Sequence, residues 1–219
     1  MHEKDWKGIP VFMMDFEGSS SSGVVEYGVV RLLSGQVCET WTALCRPTGE
    51  ILSRERIVHG ITSKQAGDEE PFADAFRMFV DFRREGIFAA HNRHAENGFL
   101  KDTWALPPAV PDWRRGEKTA QEWGPWIDTL SIYRSLFRGL ESYSLGSLVD
   151  LFGLQEELEQ LAEKFCPENR SRPHCALFDA LASSLLLLRL ESEEMLKDRI
   201  SSGWLLQLSQ EATPQTELF

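Results

Sequence analysis

Asp179 lies in a stretch, residues 175–190, where its neighbours Ala176, Leu177, Phe178, Ala180, Leu181 and Ala182 are all apolar. An ionised carboxylate among such side chains is costly unless the fold supplies a cation or a full set of hydrogen bonds. Any fold this chain adopts must therefore bring other polar chemistry to that helix. His174 stands just ahead of it, with the chain fixed by Pro173. A salt bridge to Arg170, Arg172 or Lys164 is the plainer alternative.

Other acids are placed in ways that also ask for a reason. Asp15 and Glu17, in VFMMDFEG, are two residues apart on an expected strand, so both side chains point to one face. Paired carboxylates at the end of an apolar strand repel each other. A divalent metal removes that repulsion, and a solvated strand end avoids it. Glu96, in AAHNRHAENGFL, follows a short apolar run and a turn, where it would reach the same sheet edge. It is also a natural first-turn acid favoured by the helix dipole. Taken together, Asp15, Glu17, Glu96, His174 and Asp179 describe a carboxylate cage for two divalent metals with a histidine base beside it. That is chemistry suited to phosphodiester hydrolysis.

The rest of the chain reads as one domain over residues 1–209, with a tail at 210–219. Residues 10–16 read as a buried strand, followed by a GSSSSG turn at 18–23. GVVEYGVVRLL and QVCETWTALCRP flank Ser34-Gly35 as a hairpin, giving three antiparallel strands. Short helices are expected at 53–58 and 63–66, and Pro71 opens a helix with Phe72, Phe76, Phe79 and Val80 on one face. GIFAAHN reads as a parallel central strand with a helix after it from Glu96 to Trp104. Residues 105–125 break any period and read as an inserted loop. There Trp104, Trp113, Trp123 and Trp126 stack bases, form a dimer contact or, as the preferred reading, pack on the core. Arg114, Arg115 and Lys118 either meet phosphates or are solvated. Helices follow at 142–154, capped by Ser144 and stopped by Gly153, at 155–165, and from Cys175 to Leu190. Strands first, then strands alternating with helices, predict an α/β fold with a mixed sheet flanked by helices.

Composition narrows the function. No run of about 18 apolar residues is present, and the charged N-terminus lacks a signal-peptide pattern, so no membrane association and a cytoplasmic location are expected. Cys38, Cys45, Cys166 and Cys175 form no CxxC pair, which disfavours zinc and a disulfide framework. The net charge of −11 argues against a broad basic surface for duplex DNA. It is compatible with a metal cage and a short grip on a strand end.

Several segments together resemble the DEDDh 3′–5′ exonucleases. This is the DnaQ-like family that includes the epsilon-type proofreading subunit of bacterial DNA polymerase III, ribonuclease T and oligoribonuclease. DFEG resembles the first motif, IVHGIT the HGIT-type turn, AAHNRHAENGFL the second motif and RPHCALFDA the third. WIDTL and SYSLGSLVDLFGL resemble the connecting segments, so the likeness covers roughly residues 10–190. The resemblance implies a ribonuclease H-like fold: three antiparallel strands, then parallel strands, flanked by helices. It implies two Mg2+ (or Mn2+) held by Asp15, Glu17, Glu96 and Asp179, with His174 as general base. It also places Gly18 and Ser19 near the terminal nucleotide. His91 and Asn92 would anchor the second-motif turn. His59 would be structural or line the substrate groove, and Asn92 is carried with it as a substrate-side candidate. Where the family has Phe-Asp in the second motif, this chain has Ala95-Glu96. That exchange puts the second metal's affinity in question.

The implied activity is metal-dependent 3′–5′ hydrolysis at single-stranded DNA or short RNA ends, with DNA favoured. One competing reading is a weakened nuclease-fold binding module recruited through its tail, and another is a related enzyme acting on a different phosphodiester. The tail, Gln215-Thr216-Glu217-Leu218-Phe219, resembles the short peptide that docks bacterial proteins on the sliding clamp through Gln215, Leu218 and Phe219. An untethered terminus is the alternative. The resemblance also allows a homodimer, with no interface named by the sequence.

Overall fold

The computed structural model describes residues 6–115, 118–197 and 199–211. Strand β1 (Val11–Ser19), β2 (Gly23–Leu33) and β3 (Gln36–Leu44) form an antiparallel meander. Its second turn, Ser34-Gly35, has φ of 54° and 75°, the left-handed pair that two-residue hairpins need. Helices α1 (Ser53–His59), α2 (Ser63–Ala66) and α3 (Phe76–Glu85) lead to β4 (Ile87–Ala90), which runs parallel to β1. Helix α4 (Arg93–Thr103) comes next, then a small hairpin of β5 (Val110–Pro111) and β6 (Thr119–Ala120). Strand β7 (Trp126–Asp128) pairs parallel with β4, giving the sheet order β3-β2-β1-β4-β7. The chain ends in α5 (Thr129–Leu136), α6 (Leu145–Leu151), α7 (Gln155–Phe165), α8 (Ala176–Arg189) and α9 (Ser202–Glu211). The expected mixed sheet, antiparallel first and parallel afterwards, is what forms.

Local chemistry explains the boundaries. Thr62 and Gln65 close a reciprocal capping box on α2. Ser144 accepts from the Ser147 N–H to start α6, and Gly153, at φ 66°, ends the segment. Pro71 opens a 3-10 turn, Phe72–Ala75, ahead of α3. Phe72, Phe79 and Val80 are buried there, whereas Phe76 stays partly exposed.

Alternation along β1 divides the core. Val11 and Met13 face one side, packed with Leu177, Leu181 and Leu185 of α8 and with residues of α5, α6, α7 and α9. Phe12, Met14 and Phe16 face the other, packed with Phe79, Phe82, Trp104, Trp123 and Trp126. Burying these side chains from both faces is the main stabilising term, at about 25 cal/mol per Å² of apolar surface. The preferred reading of the tryptophans holds: Trp104, Trp123 and Trp126 are buried, and Trp113 packs partly buried against the core. Arg114 pairs with Asp112 and Glu122, and Arg115 with Asp112, so neither is a free cation.

Helix α9 has no counterpart in the sequence-based expectation. It runs through Glu211 and packs on α5 and β7. Ser209 Oγ accepts the Asp128 N–H at 2.8 Å. No helix among the described residues is long and apolar enough to cross a membrane.

Candidate active site

Strands β1 and β4 are parallel neighbours, so their C-terminal ends lie side by side and bring the succeeding turns to one place. Asp15 and Glu17 share the face of β1 that carries Met13, the face covered by α8. Gly18 ends this run in a register shift with φ 142°, and a Cβ there would sit 2.0 Å from the Gly23 carbonyl oxygen. Only glycine fits that bend. Gly28 on β2 is equally constrained, because a Cβ would lie 2.2 Å from the Leu177 nitrogen. Its absence lets the first turn of α8 rest directly on the sheet, carrying Asp179 towards β1.

The three segments meet. Ligand atoms of Glu17, His174 and Asp179 lie within 4.8 Å of one another. Asp15 feels Asp179, Glu96 and Glu17 electrostatically, and Glu96 feels Glu17. Glu96 is 4% exposed, and its Oε2 has no hydrogen-bond partner. Ala95 beside it is exposed. No ion pair to Asp15, Glu17, Glu96 or Asp179 is formed among the described residues.

Every carboxyl in the cluster is consequently hard to ionise. Burial, then the neighbouring charges of Asp179, Glu96 and Glu17, hold Asp15 well above the usual carboxylate range. Burial and Asp179 push Glu17 up to about 8 against the partial relief of Arg170 and Arg172. Burial raises Glu96 to about 8 and Asp179 to about 6, the latter restrained by the His174 N–H. Four crowded acids with an orphaned oxygen fit divalent cations, which neutralise them and take oxygen ligands.

His174 is exposed and has φ 60°, a left-handed conformation uncommon for a residue with a Cβ. Its N–H donates to Asp179 Oδ2 at 3.0 Å. The expected alternative for Asp179, a salt bridge to Arg170, Arg172 or Lys164, does not occur. Arg170 is engaged by Glu26, with Nε 2.8 Å from Oε1 and Nη2 on Oε2. Arg172 donates to the Pro173 and His59 carbonyls.

The flanking candidates divide. Ser19 donates its hydroxyl to Glu55 Oε1 at 2.8 Å and lies at the end of β1 with Gly18. His59 is buried, accepts the Ile61 N–H on Nδ1 at 3.0 Å, and has its pKa lowered by that burial. Its Nε2 is without a partner, while its carbonyl receives Arg170 Nη1 at 2.8 Å. Asn92 has φ 80° and gives its N–H to Asp128 Oδ1 at 3.0 Å. His91 contacts Thr129 Oγ1 at 2.9 Å and the Tyr143 carbonyl at 3.0 Å. The carbonyl can only accept, so Nε2 carries the proton, while the one Thr129 hydroxyl proton is shared between Nδ1 and the Ala90 carbonyl, 3.3 Å away. These contacts tie the second-motif turn to β7, α5 and the loop before α6. Gln215, Leu218 and Phe219 lie outside the described residues.

Two further acids carry structural roles whose partners their local sequence does not announce. Asp128 accepts from Asn92, Leu130 and Ser131 and organises the β7–α5 junction. Glu26, 3% exposed and opposite Glu17 in the ladder, holds Arg170. A lone acid in the apolar run GVVEYGVV was the available signal for it.

No family model matches the chain. It is 27% identical over 192 residues to a PolC-type DNA polymerase III of Thermotoga petrophila, covering 86% of this chain and 12% of that protein. The PolC-type polymerase of Bacillus subtilis is 26% identical, over 88% of this chain and 12% of its own length. The 3′–5′ exonuclease DinG of Bacillus subtilis is 25% identical, over 76% and 15%. The chain thus spans about an eighth of the length of its polymerase relatives. Among solved structures, exonuclease X in complex with 5′ overhanging duplex DNA has a TM-score of 0.64 at 19% identity, covering 91% of this chain and 99% of that one. A 3′-exonuclease recognising a histone mRNA stem-loop has a TM-score of 0.62 at 13% identity, covering 87% and 84%. The fold is ribonuclease H-like.

Proposed function

We propose that this chain, a member of the DnaQ-like 3′–5′ exonuclease superfamily, is a divalent-metal-dependent exonuclease that shortens single-stranded nucleic acid from its 3′ end. The observation that carries this is the meeting of Glu17, His174 and Asp179 within 4.8 Å, with Asp15 and Glu96 in electrostatic reach of that group and no ion pair to any of the four acids among the described residues.

Asp15, Glu17, Glu96 and Asp179 would hold two Mg2+ or Mn2+. When bound, such ions lower the pKa of water and offset charge on the leaving 3′ oxygen. His174 accepts a proton from the attacking water through its imidazole, whose exposure leaves it free to pass that proton to solvent. Asp179 orients His174 through the backbone N–H it receives. Gly18 and Ser19 border the terminal nucleotide, where the bend at Gly18 opens backbone groups to it. His59 and Asn92 are the further candidates for the substrate side. Their own polar contacts fit a supporting part there.

DNA is the favoured substrate, in keeping with the polymerase relatives. The chain's negative charge fits a short grip on a strand end. A sliding clamp is the proposed partner of Gln215, Leu218 and Phe219, and the cytoplasm the proposed location. Co-elution with clamp, lost on deleting residues 215–219, tests that contact.

The decisive experiment supplies metal-stripped protein with Mg2+ or Mn2+ and 5′-labelled single-stranded DNA and RNA of equal sequence. Stepwise 3′ shortening, absent in Asp179→Ala, is the expected result, with DNA the better substrate. No shortening with either metal would overturn it. It would favour the second reading, a binding module whose Glu96, in place of the family's Asp, spoils the cage.

A further inference from the structure

We propose that Glu26 is a positioning residue for His174: through Arg170 and the start of α8 it fixes the loop that presents the imidazole to Glu17 and Asp179. The inference rests on the exonuclease reading and assigns a role to a residue outside its metal cage.

The geometry is specific. Glu26 lies on β2 directly across the antiparallel ladder from Glu17, 3% exposed. A buried acid opposite another acid is unfavourable on its own. Glu26 is stabilised there by three donors. Arg170 gives Nε at 2.8 Å and Nη2 as the second arm of a fork, and the Ala176 N–H approaches at 2.9 Å. Those donors bracket His174, one four residues before it and the other two residues after.

Apart from these anchors on either side, His174 is held by its own N–H on Asp179 Oδ2. It is exposed and left-handed, and Asn169 earlier in the same loop is left-handed too, at φ 66°. Such backbone persists only where the surroundings enforce it. The Cys175 N-cap of α8 makes no side-chain cap bond, so Glu26 serves that helix end from the neighbouring strand. Arg170 also donates Nη1 to the His59 carbonyl, joining the α1 end to the same clasp. Gly28, two residues further along β2, gives α8 room to sit there. Glu26 touches no reacting atom in this arrangement; its charge also reaches Asp15, Glu17 and Asp179, and the comparison of two backgrounds separates that influence from the placement of His174.

The test compares Glu26→Gln in the wild-type and His174→Ala backgrounds, reading kcat, KM and melting temperature on single-stranded DNA. Glutamine keeps the size and one acceptor but loses the charge that grips Arg170. In the wild-type background kcat should fall about 10- to 100-fold with KM within about twofold, the signature of a misplaced group. In the His174→Ala background the same change should cost less than about twofold, because the residue it serves is already gone. Equal losses in both backgrounds, or a wild-type rate for Glu26→Gln, would overturn the proposal. Should Glu26→Gln fail to fold, Arg170→Lys, which keeps the charge and loses the fork, is read by the same two-background comparison. His174 ring resonances in isotope-labelled protein give a readout that needs no turnover. They should move or broaden in Glu26→Gln, and unchanged resonances would count against the inference. An inactive wild type would refute the exonuclease reading, while an active wild type with an indifferent Glu26 would refute this inference alone.

Discussion

The backbone N–H of His174 donates to Oδ2 of Asp179 across 3.0 Å, so the exposed imidazole and the acid of the apolar helix form one unit. Asp179 therefore has two separable properties, its charge and its acceptor oxygen. Asp179→Asn keeps an acceptor and removes the charge, whereas Asp179→Ala removes both. Each should reduce 3′ shortening by more than about 100-fold, beyond the usual cost of disturbing an outer-shell contact. Only Asp179→Ala should lower the metal-free melting temperature, by the few degrees that a lost charge-assisted hydrogen bond of ~1.5–3 kcal/mol produces. Equal melting of both variants would separate His174 from Asp179.

Glu96 should behave as a residue kept at the expense of stability. Its folded pKa is raised to about 8 from 4.5, as is that of Glu17. A carboxyl raised in this way contributes stability that is complete below pH 4.5 and is lost as pH rises through about 8. Metal-free protein should therefore melt progressively lower between about pH 5 and 8 from this source. Glu96→Gln should flatten that slope and melt higher at pH 8 without metal, while gaining less from added Mn2+. Calorimetry across pH, with and without the ion, checks it. A Glu96→Gln melting temperature below wild type at pH 8 would contradict it.

His59 and His91 supply the opposite slope. Burial lowers both below 6.5. The unfolded chain then takes up protons more readily than the folded one, so their contribution is complete above pH 6.5 and is lost as pH falls through the lowered values. In an NMR titration both imidazoles should show midpoints below 6.5. A midpoint at or above that value for His91 would contradict the dominance of burial at this site, since the Nε2–H donation to the Tyr143 carbonyl acts in the opposite, raising direction.

Legibility in the sequence is set by the range of each signal. Strand alternation, the Ser34-Gly35 turn, the Ser144 cap and the Gly153 stop are local signals, and each element forms where its own residues direct it. Asp15, Glu17 and Asp179 stand out because an acid in an apolar element is conspicuous. Glu26 has the same signature in GVVEYGVV, yet its partners Arg170 and Ala176 lie about 150 residues away and no local pattern points to them. Helix α9 escapes sequence reasoning for a related reason. Its anchor is one serine hydroxyl meeting the Asp128 N–H, a contact defined only once β7 is in the sheet.

The inserted segment at 105–125 should prove structural, and Arg83 is the residue to test. This arginine of α3 is fully buried, and burial drives its pKa down to about 10. Its Nε donates to the Trp123 and Gly124 carbonyls at 3.0 and 2.9 Å, while Nη1 finds no partner. It clasps the end of the insertion, with Trp123, to the aromatic core of Phe79, Phe88 and Trp104. Arg83→Met would fill the space but strand two carbonyls, costing roughly 2–4 kcal/mol. For a domain of this size that lowers the melting temperature by roughly 5–15 °C. Arg83→Lys should recover little, since one ammonium cannot reproduce the fork. Catalysis by the protein that remains folded should be unchanged, because none of these contacts involves the acid cluster. A large fall in kcat at wild-type stability would instead make the insertion part of the substrate path.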